Sequence, residues 1–224
     1  MTIPKCSLLL AILLAICPRD AFAVSFPAAD TAEGYVGRLL INEAPFPGER
    51  GFVSEADSKA SMAQILWVIE CRIHFIPAGY RQREIAVVET TNVLDVITAG
   101  GDKGQIDGFF RDRQGRLATA PRVEERLQNL ISIANRGAPG RFARLLEYGA
   151  ALATAYVRER LAEPDRFASL SQFGSIAVTG RAYSWMTDRD YYNPGGSYLR
   201  IPDQYEGLLG GNRFFTLRKR GEKR

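Results

Sequence analysis

The sequence predicts a mainly helical α+β fold, with a helical body over residues 30–163 and a lobe of loops and short strands over 165–217. Three observations predict it. Hydrophobic residues make up 46% and charged residues 24% of the 224-residue chain, ordinary globular values for a length that can bury a core. Apolar residues recur at helical spacing between Pro and Gly breaks as far as Pro164. Beyond Pro164, Gly, Tyr, Ser and Asn become frequent and the apolar residues fall in short alternating runs. The composition excludes a disordered chain, a collagen-like repeat and a coiled coil. The length suits one domain over 24–217, with a basic tail at 218–224.

The first residues read as an export signal. Lys5 supplies a positive start, 8–17 is an apolar stretch too short to span a bilayer, and Ala21-Phe22-Ala23 is a small-x-small cleavage site. Residues 1–23 are therefore expected to be removed, giving a periplasmic or secreted protein with no stable membrane insertion. Cys6 and Cys17 leave with them. Cys71 remains alone, so no internal disulfide is available, and its apolar helical setting predicts a buried, unreactive thiol.

The elements follow in order. Residues 24–29 read as extended. Asp30 or Thr31 caps a helix running to about Glu43, and Ala44-Pro45-Phe46-Pro47-Gly48 ends it, because a residue before Pro avoids the helical region. Ser54-Glu55-Ala56-Asp57 opens a second helix to about His74, with Met62, Ile65, Leu66, Ile69 and Ile73 on one face. Pro77-Ala78-Gly79 is a loop, 83–91 a short helix and 93–99 a helical turn or two. Gly100-Gly101-Asp102-Lys103-Gly104 is a break, and 105–120 reads as irregular with a turn at 112–115. Pro121 starts a helix to about Arg136 that buries Val123, Leu127, Leu130, Ile131 and Ala134. A long helix follows over about 140–162. Short strands are expected at 176–178, 198–201 and 213–217, and the basic residues of the tail at a solvated, frayed end.

With His74 as the one histidine, a two-His metal site is excluded. A satisfied, half-buried His is the expected role. No cofactor is implied, and the 100–104 glycines lack the spacing of a phosphate loop. Export and a mild basic charge argue against nucleic acid. Function therefore falls to carboxylates, aromatics and amides, or to binding alone.

Glu43 is the most informative residue. It shares the apolar face of the first helix with Val36, Leu39 and Leu40, and it sits at the helix end where the dipole disfavours a negative charge. Partial burial and the dipole both raise a carboxyl pKa, which suits a general acid. A side chain leaning into solvent, or paired with an Arg, satisfies the same spacing. The stretch from Tyr183 to Gly196, with Trp185, suits either a sugar-covering surface or packing of the second lobe. Asp107 is expected to pair with an Arg or cap a turn, and Glu49 to sit in a mobile loop.

Three blocks resemble the SleB-type cell wall hydrolases, the spore-cortex-lytic enzymes and their relatives. Ile41-Asn42-Glu43-Ala44-Pro45-Phe46-Pro47-Gly48-Glu49, followed by a helix to Arg72, is similar to their opening. Gln105-Ile106-Asp107-Gly108-Phe109 is similar to their Gln-and-aromatic block, and Gly211-Asn212-Arg213-Phe214-Phe215 to their closing strand. The chain departs in having Cys71-Arg72 where the family has Asn-Arg, and a longer segment over 46–53. The resemblance implies a lysozyme-like fold and a lytic transglycosylase-like glycosidase acting on peptidoglycan glycan strands. It would cut the bond between N-acetylmuramic acid (MurNAc) and N-acetylglucosamine (GlcNAc). It makes Glu43 the acid/base, has Gln105 bond a sugar amide or hydroxyl, and places Phe109 along the cleft. Tyr183 and Tyr198 are further candidates for that lining. A non-catalytic glycan-binding or envelope-assembly protein on the same scaffold is the alternative.

Overall fold

Thr31 starts the first helix, its hydroxyl accepting the Gly34 N–H at 3.0 Å, and α1 runs Ala32–Glu43. Ser54 does the same for α2 (Glu55–His74) through the Asp57 N–H. The computed structural model describes residues 24–136, 140–163, 180–187 and 196–221. Two short helices follow, α3 (Gln82–Ala86) and α4 (Val93–Thr98). A hairpin comes next, β1 (Phe109–Arg111) and β2 (Leu117–Thr119). Then come α5 (Pro121–Arg136) and α6 (Arg141–Ala162). The last sheet has strands β3 (Ser184–Met186), β4 (Tyr198–Arg200), β5 (Leu208–Leu209) and β6 (Asn212–Leu217). The fold is α+β and mainly helical, as expected.

The core lies between the helices. α1 packs on α6 and α5, and α2 packs on α6 and α4. Val36, Leu39, Leu40, Ile65, Leu66, Leu146 and Leu152 are fully enclosed. Gly149 lets α1 and α6 approach closely, since a Cβ there would stand 2.7 Å from Ile41 Cδ1. The same buried cluster takes in Phe109 of the hairpin and Phe214 of β6. Tyr35 ties the hairpin to α1, its hydroxyl shared between the Phe110 and Ala118 carbonyls at 3.1 and 3.0 Å.

β6 is central to the C-terminal sheet, pairing with β3, β4 and β5. Gly210 and Gly211 form the two-residue turn between β5 and β6, with φ of +52° and +79°. Two positive φ values in a hairpin of this length favour glycine. Side chains are also excluded sterically. A Cβ would stand 2.2 Å from Asp57 O at Gly210 and 2.4 Å from Gly51 O at Gly211. The turn thus docks on the start of α2 and carries Asn212 beneath the end of α1.

Several local expectations are corrected. The helix expected over 83–91 stops at Ala86, because Gln82 brackets the chain instead. Its amide donates to the Arg72 and Thr90 carbonyls and accepts from the Thr90 N–H. Residues 105–120 are not irregular throughout, because β1 and β2 pair within them. The turn at 112–115 is present, with the Asp112 carboxylate accepting the Gln114 and Arg116 N–H groups. The tail does not fray at its start. Arg220 stacks on Tyr80 at 4.3 Å and pairs with Glu84 at 3.0 Å. The export signal and the strand expected at 176–178 lie outside the described residues. No helix among the described residues is long and apolar enough to cross a membrane.

Candidate active site

Ala44 leaves helical geometry (φ −90°, ψ 138°) because Pro45 follows, so α1 ends at Glu43. The core face of α1 points the Glu43 side chain inward, where it is half-buried. Oε1 accepts a hydrogen bond from Asn42 Nδ2 at 2.9 Å, and Oε2 accepts one from Trp185 Nε1 at 2.9 Å. Trp185 is carried by β3, held opposite Phe214 of β6. Asn212 closes the arrangement from below. Its Nδ2 donates to the Glu43 carbonyl at 2.9 Å and to Ser61 Oγ at 2.8 Å, satisfying a helix-end carbonyl that has no partner within the helix.

Opposing influences act on the Glu43 carboxyl. Burial disfavours its charged form. The Trp185 and Asn42 hydrogen bonds, with the Arg122 and Arg126 charges, favour it. Burial wins and the pKa lies above the ordinary carboxylate value. Because each oxygen already accepts a bond from the protein, the carboxyl is held in one orientation.

Glu43 opens onto a pocket of about 680 Å³ between the end of α1, the 44–50 loop, the first turns of α5, residues 105–107 and β3. Arg126 reaches from α5 to the Ile41 and Ala44 carbonyls at 3.3 and 3.1 Å and forms a bidentate pair with Glu49. Glu49 is thus fixed by Arg126 and the Phe46 N–H, which corrects the expectation of a mobile loop residue. Asp107 pairs with Arg122 at 2.7 Å, as expected, in an exposed pair of small energetic value. Both other pocket carboxylates are thus occupied by arginines. Glu43 alone is left to exchange a proton with a ligand among the described residues.

The structure brings Glu43, Gln105 and Trp185 to one pocket. Gln105 Nε2 donates one hydrogen to the Ile85 carbonyl at 2.9 Å, which leaves its second N–H and its amide oxygen for a ligand. Three expected lining residues are corrected. Phe109 is fully buried, edge-on to Tyr35 with ring centroids 5.4 Å apart. Tyr183 is buried and donates its hydroxyl to the Phe75 carbonyl. Tyr198 packs beside Tyr183, Cys71 and Ile85. None of the three lines the pocket that holds Glu43. The aromatic residues Tyr191 and Tyr192 lie outside the described residues. Asn42, Arg72, Arg126 and Asn212 were not singled out for the site. Asn42, Arg72 and Asn212 stand within the blocks that carry the resemblance, and the i, i+4 spacing of Arg122 and Arg126 puts both on one side of α5.

Cys71 is enclosed and burial pushes its thiol up to about 12, matching the unreactive role expected. His74 is satisfied by Arg160 at 3.0 Å and lies 3.7 Å from Glu70. Among the described residues no cluster of His, Cys, Asp and Glu is suited to a metal ion.

Removing the Trp185 N–H removes the largest influence that lowers the Glu43 pKa. Trp185→Phe is therefore expected to raise that pKa further, measured by titrating the carboxyl in the variant. An unchanged or lowered value contradicts the assignment of the Trp185 bond. No family model, curated protein or solved structure matches the chain.

Proposed function

We propose that the protein is an exported peptidoglycan-cleaving glycosidase of the lytic transglycosylase kind, with Glu43 as its acid and base. The observation that carries this reading is the oriented, desolvated Glu43 carboxyl at a wide pocket that it shares with Trp185 and Gln105. A raised pKa favours the protonated form that a general acid needs for transfer to a leaving oxygen. The resemblance of three sequence blocks to the SleB-type cell wall hydrolases supports the same assignment.

In this mechanism Glu43 donates its proton to the oxygen joining MurNAc to GlcNAc, and the C1–O bond of MurNAc breaks. The GlcNAc strand leaves with that proton as a hydroxyl. The 6-hydroxyl of the same MurNAc then attacks C1 and gives its proton to the Glu43 carboxylate. The product is a 1,6-anhydro sugar and the enzyme regains its starting state. No second carboxylate is required as nucleophile, in contrast to paired-acid glycosidases. That agrees with the engagement of Glu49 and Asp107 by arginines. Trp185 offers a flat apolar face to the sugar, and the Gln105 amide oxygen can accept from an acetamido N–H or a hydroxyl.

Mass spectrometry of soluble material released from isolated sacculi by the purified protein tests the reading. Muropeptides ending in 1,6-anhydro sugars are expected. Products heavier by one water would assign water, not the 6-hydroxyl, as the nucleophile. Binding to sacculi without released product would leave a non-catalytic glycan-binding protein.

A further inference from the structure

Three arginines are buried in the described structure, and two of them face a glutamate. Arg38 pairs with Glu124 at 2.7 Å and Arg160 with Glu70 at 3.0 Å. Arg72 is the exception. It is 3% exposed, near the end of α2, and lines the pocket that holds Glu43. Its Nε donates to the Tyr183 carbonyl at 2.8 Å, and its guanidinium lies over Trp185 at 5.6 Å from the ring centroid. Among the described residues no carboxylate pairs with it. Nη1 is enclosed without a hydrogen-bond partner among the described residues.

A buried guanidinium without a counter-charge is costly, because desolvation of an ion is offset only by a well-placed opposite charge. Structural needs do not account for it. The single bond to the Tyr183 carbonyl requires one neutral donor, and the stack on Trp185 requires only a flat or apolar group. The surroundings do not compensate either. Arg126 and Arg122 share the pocket, each matched to one carboxylate, and Glu43 resists ionisation. Among the described residues the pocket lining therefore holds four arginines, Arg50 included, against three carboxyl groups, and Arg72 is a rigid planar donor suited to a carboxylate.

We propose that Arg72 makes the floor of this pocket a carboxylate-binding subsite, so that the preferred glycan is one carrying a carboxylate beside the bond to be cut. This rests on the glycosidase reading above and specifies its substrate. Two carboxylates on peptidoglycan have the required chemistry. One is the free lactyl group of MurNAc stripped of its peptide, and the other lies on the stem peptide itself. Bound there, the carboxylate supplies the acceptor that the fold withholds from Arg72. It also positions the MurNAc ring relative to Glu43.

Calorimetric binding in the Glu43→Gln background, where no probe is consumed, tests the proposal. Four tetrasaccharides serve as probes. They are a GlcNAc oligomer, a GlcNAc–MurNAc oligomer with free lactyl carboxylates, its lactyl methyl ester, and the same oligomer bearing stem peptides. At least one carboxylated probe is expected to bind about tenfold or more tighter than both neutral ones, the gain typical of a hydrogen bond to a charged group. Which carboxylated probe shows the preference identifies the source. Adding Arg72→Met, which keeps an apolar stem against Trp185, is expected to abolish the preference for the free acid over its methyl ester. Equal affinity for all four probes overturns the subsite and leaves the glycosidase reading standing. Binding of none overturns both. A preference that survives Arg72→Met assigns the anion to another arginine and overturns the role of Arg72. Should that variant not fold, the comparison of the free acid with its methyl ester still decides whether the subsite exists.

Discussion

Glu43→Gln is expected to lower release of soluble muropeptides from sacculi by about 100- to 10,000-fold, the usual contribution of a positioned general acid. The substitution keeps the shape of the side chain and an acceptor for Asn42 or Trp185, and removes the transferable proton. The fold is expected to survive. The wild-type carboxyl has a raised pKa, so its ionisation is disfavoured in the folded state. Its stabilising contribution is full below the unfolded pKa and is lost as pH rises through the folded one. An amide has no such ionisation, so the variant is expected to melt close to the wild type at low pH, where the carboxyl is neutral, and no lower than the wild type as pH rises. Full muralytic activity in the folded variant would remove Glu43 from the mechanism.

The largest stability effect is expected away from the pocket. Glu70 is fully enclosed on α2, with the Tyr156 hydroxyl donating to Oε1 and Arg160 Nε 3.0 Å from the carboxylate. Glu70→Ala takes the carboxylate from the Tyr156 hydroxyl and Arg160 Nε in the core and opens a cavity beside them. A loss of about 3–5 kcal/mol in unfolding free energy is expected, the range for breaking a buried pair by deleting one member. The loss should depend on pH. Burial pushes the Glu70 carboxyl from the ordinary 4.5 up to about 7, against the opposing effects of Tyr156 and Arg160. A raised folded pKa gives stability that is full below 4.5 and lost as pH rises through about 7. The difference between wild type and Glu70→Ala in denaturant melts should therefore be larger at low pH than above 7. A loss below about 1 kcal/mol, the scale of an ordinary surface change, would show that the cluster does not hold α2 to α6.

The helices were legible because their signals are local. Thr31 and Ser54 cap where their side chains can accept the N–H three residues on, Pro45 forces Ala44 out of helical geometry, and Pro121 sits where a helix needs no N–H. Strands of two or three residues carry no such signal. β1 and β2 are too short for alternation to be distinguished from a loop, and their pairing depends on Tyr35, some 75 residues away in sequence, accepting a place between two strand carbonyls. Docking of Arg220 on Tyr80 and Glu84 is also a long-range contact, so the tail looked frayed.

The site divides along the same line. Glu43 stood out because an acid on an apolar face next to a helix break is visible within one turn. Its partners were not visible. Trp185, Asn212 and Arg126 converge on it from β3, β6 and α5. Phe109, Tyr183 and Tyr198 were assigned to the cleft because an aromatic ring suits a sugar and a core equally well. In a short segment nothing in the sequence says which side is enclosed. Arg72 illustrates the converse: its helix position is legible in the sequence, and the absence of a carboxylate opposite it among the described residues is not.

Direct titration of the Glu43 carboxyl by carbon-13 NMR, assigned by its disappearance in Glu43→Gln, tests the central claim. A midpoint clearly above the ordinary value of 4.5 is predicted, because burial outweighs the Trp185 and Asn42 hydrogen bonds. A midpoint at or below 4.5 would mean a carboxylate already ionised at neutral pH, with no proton to give a leaving sugar, and would contradict the account.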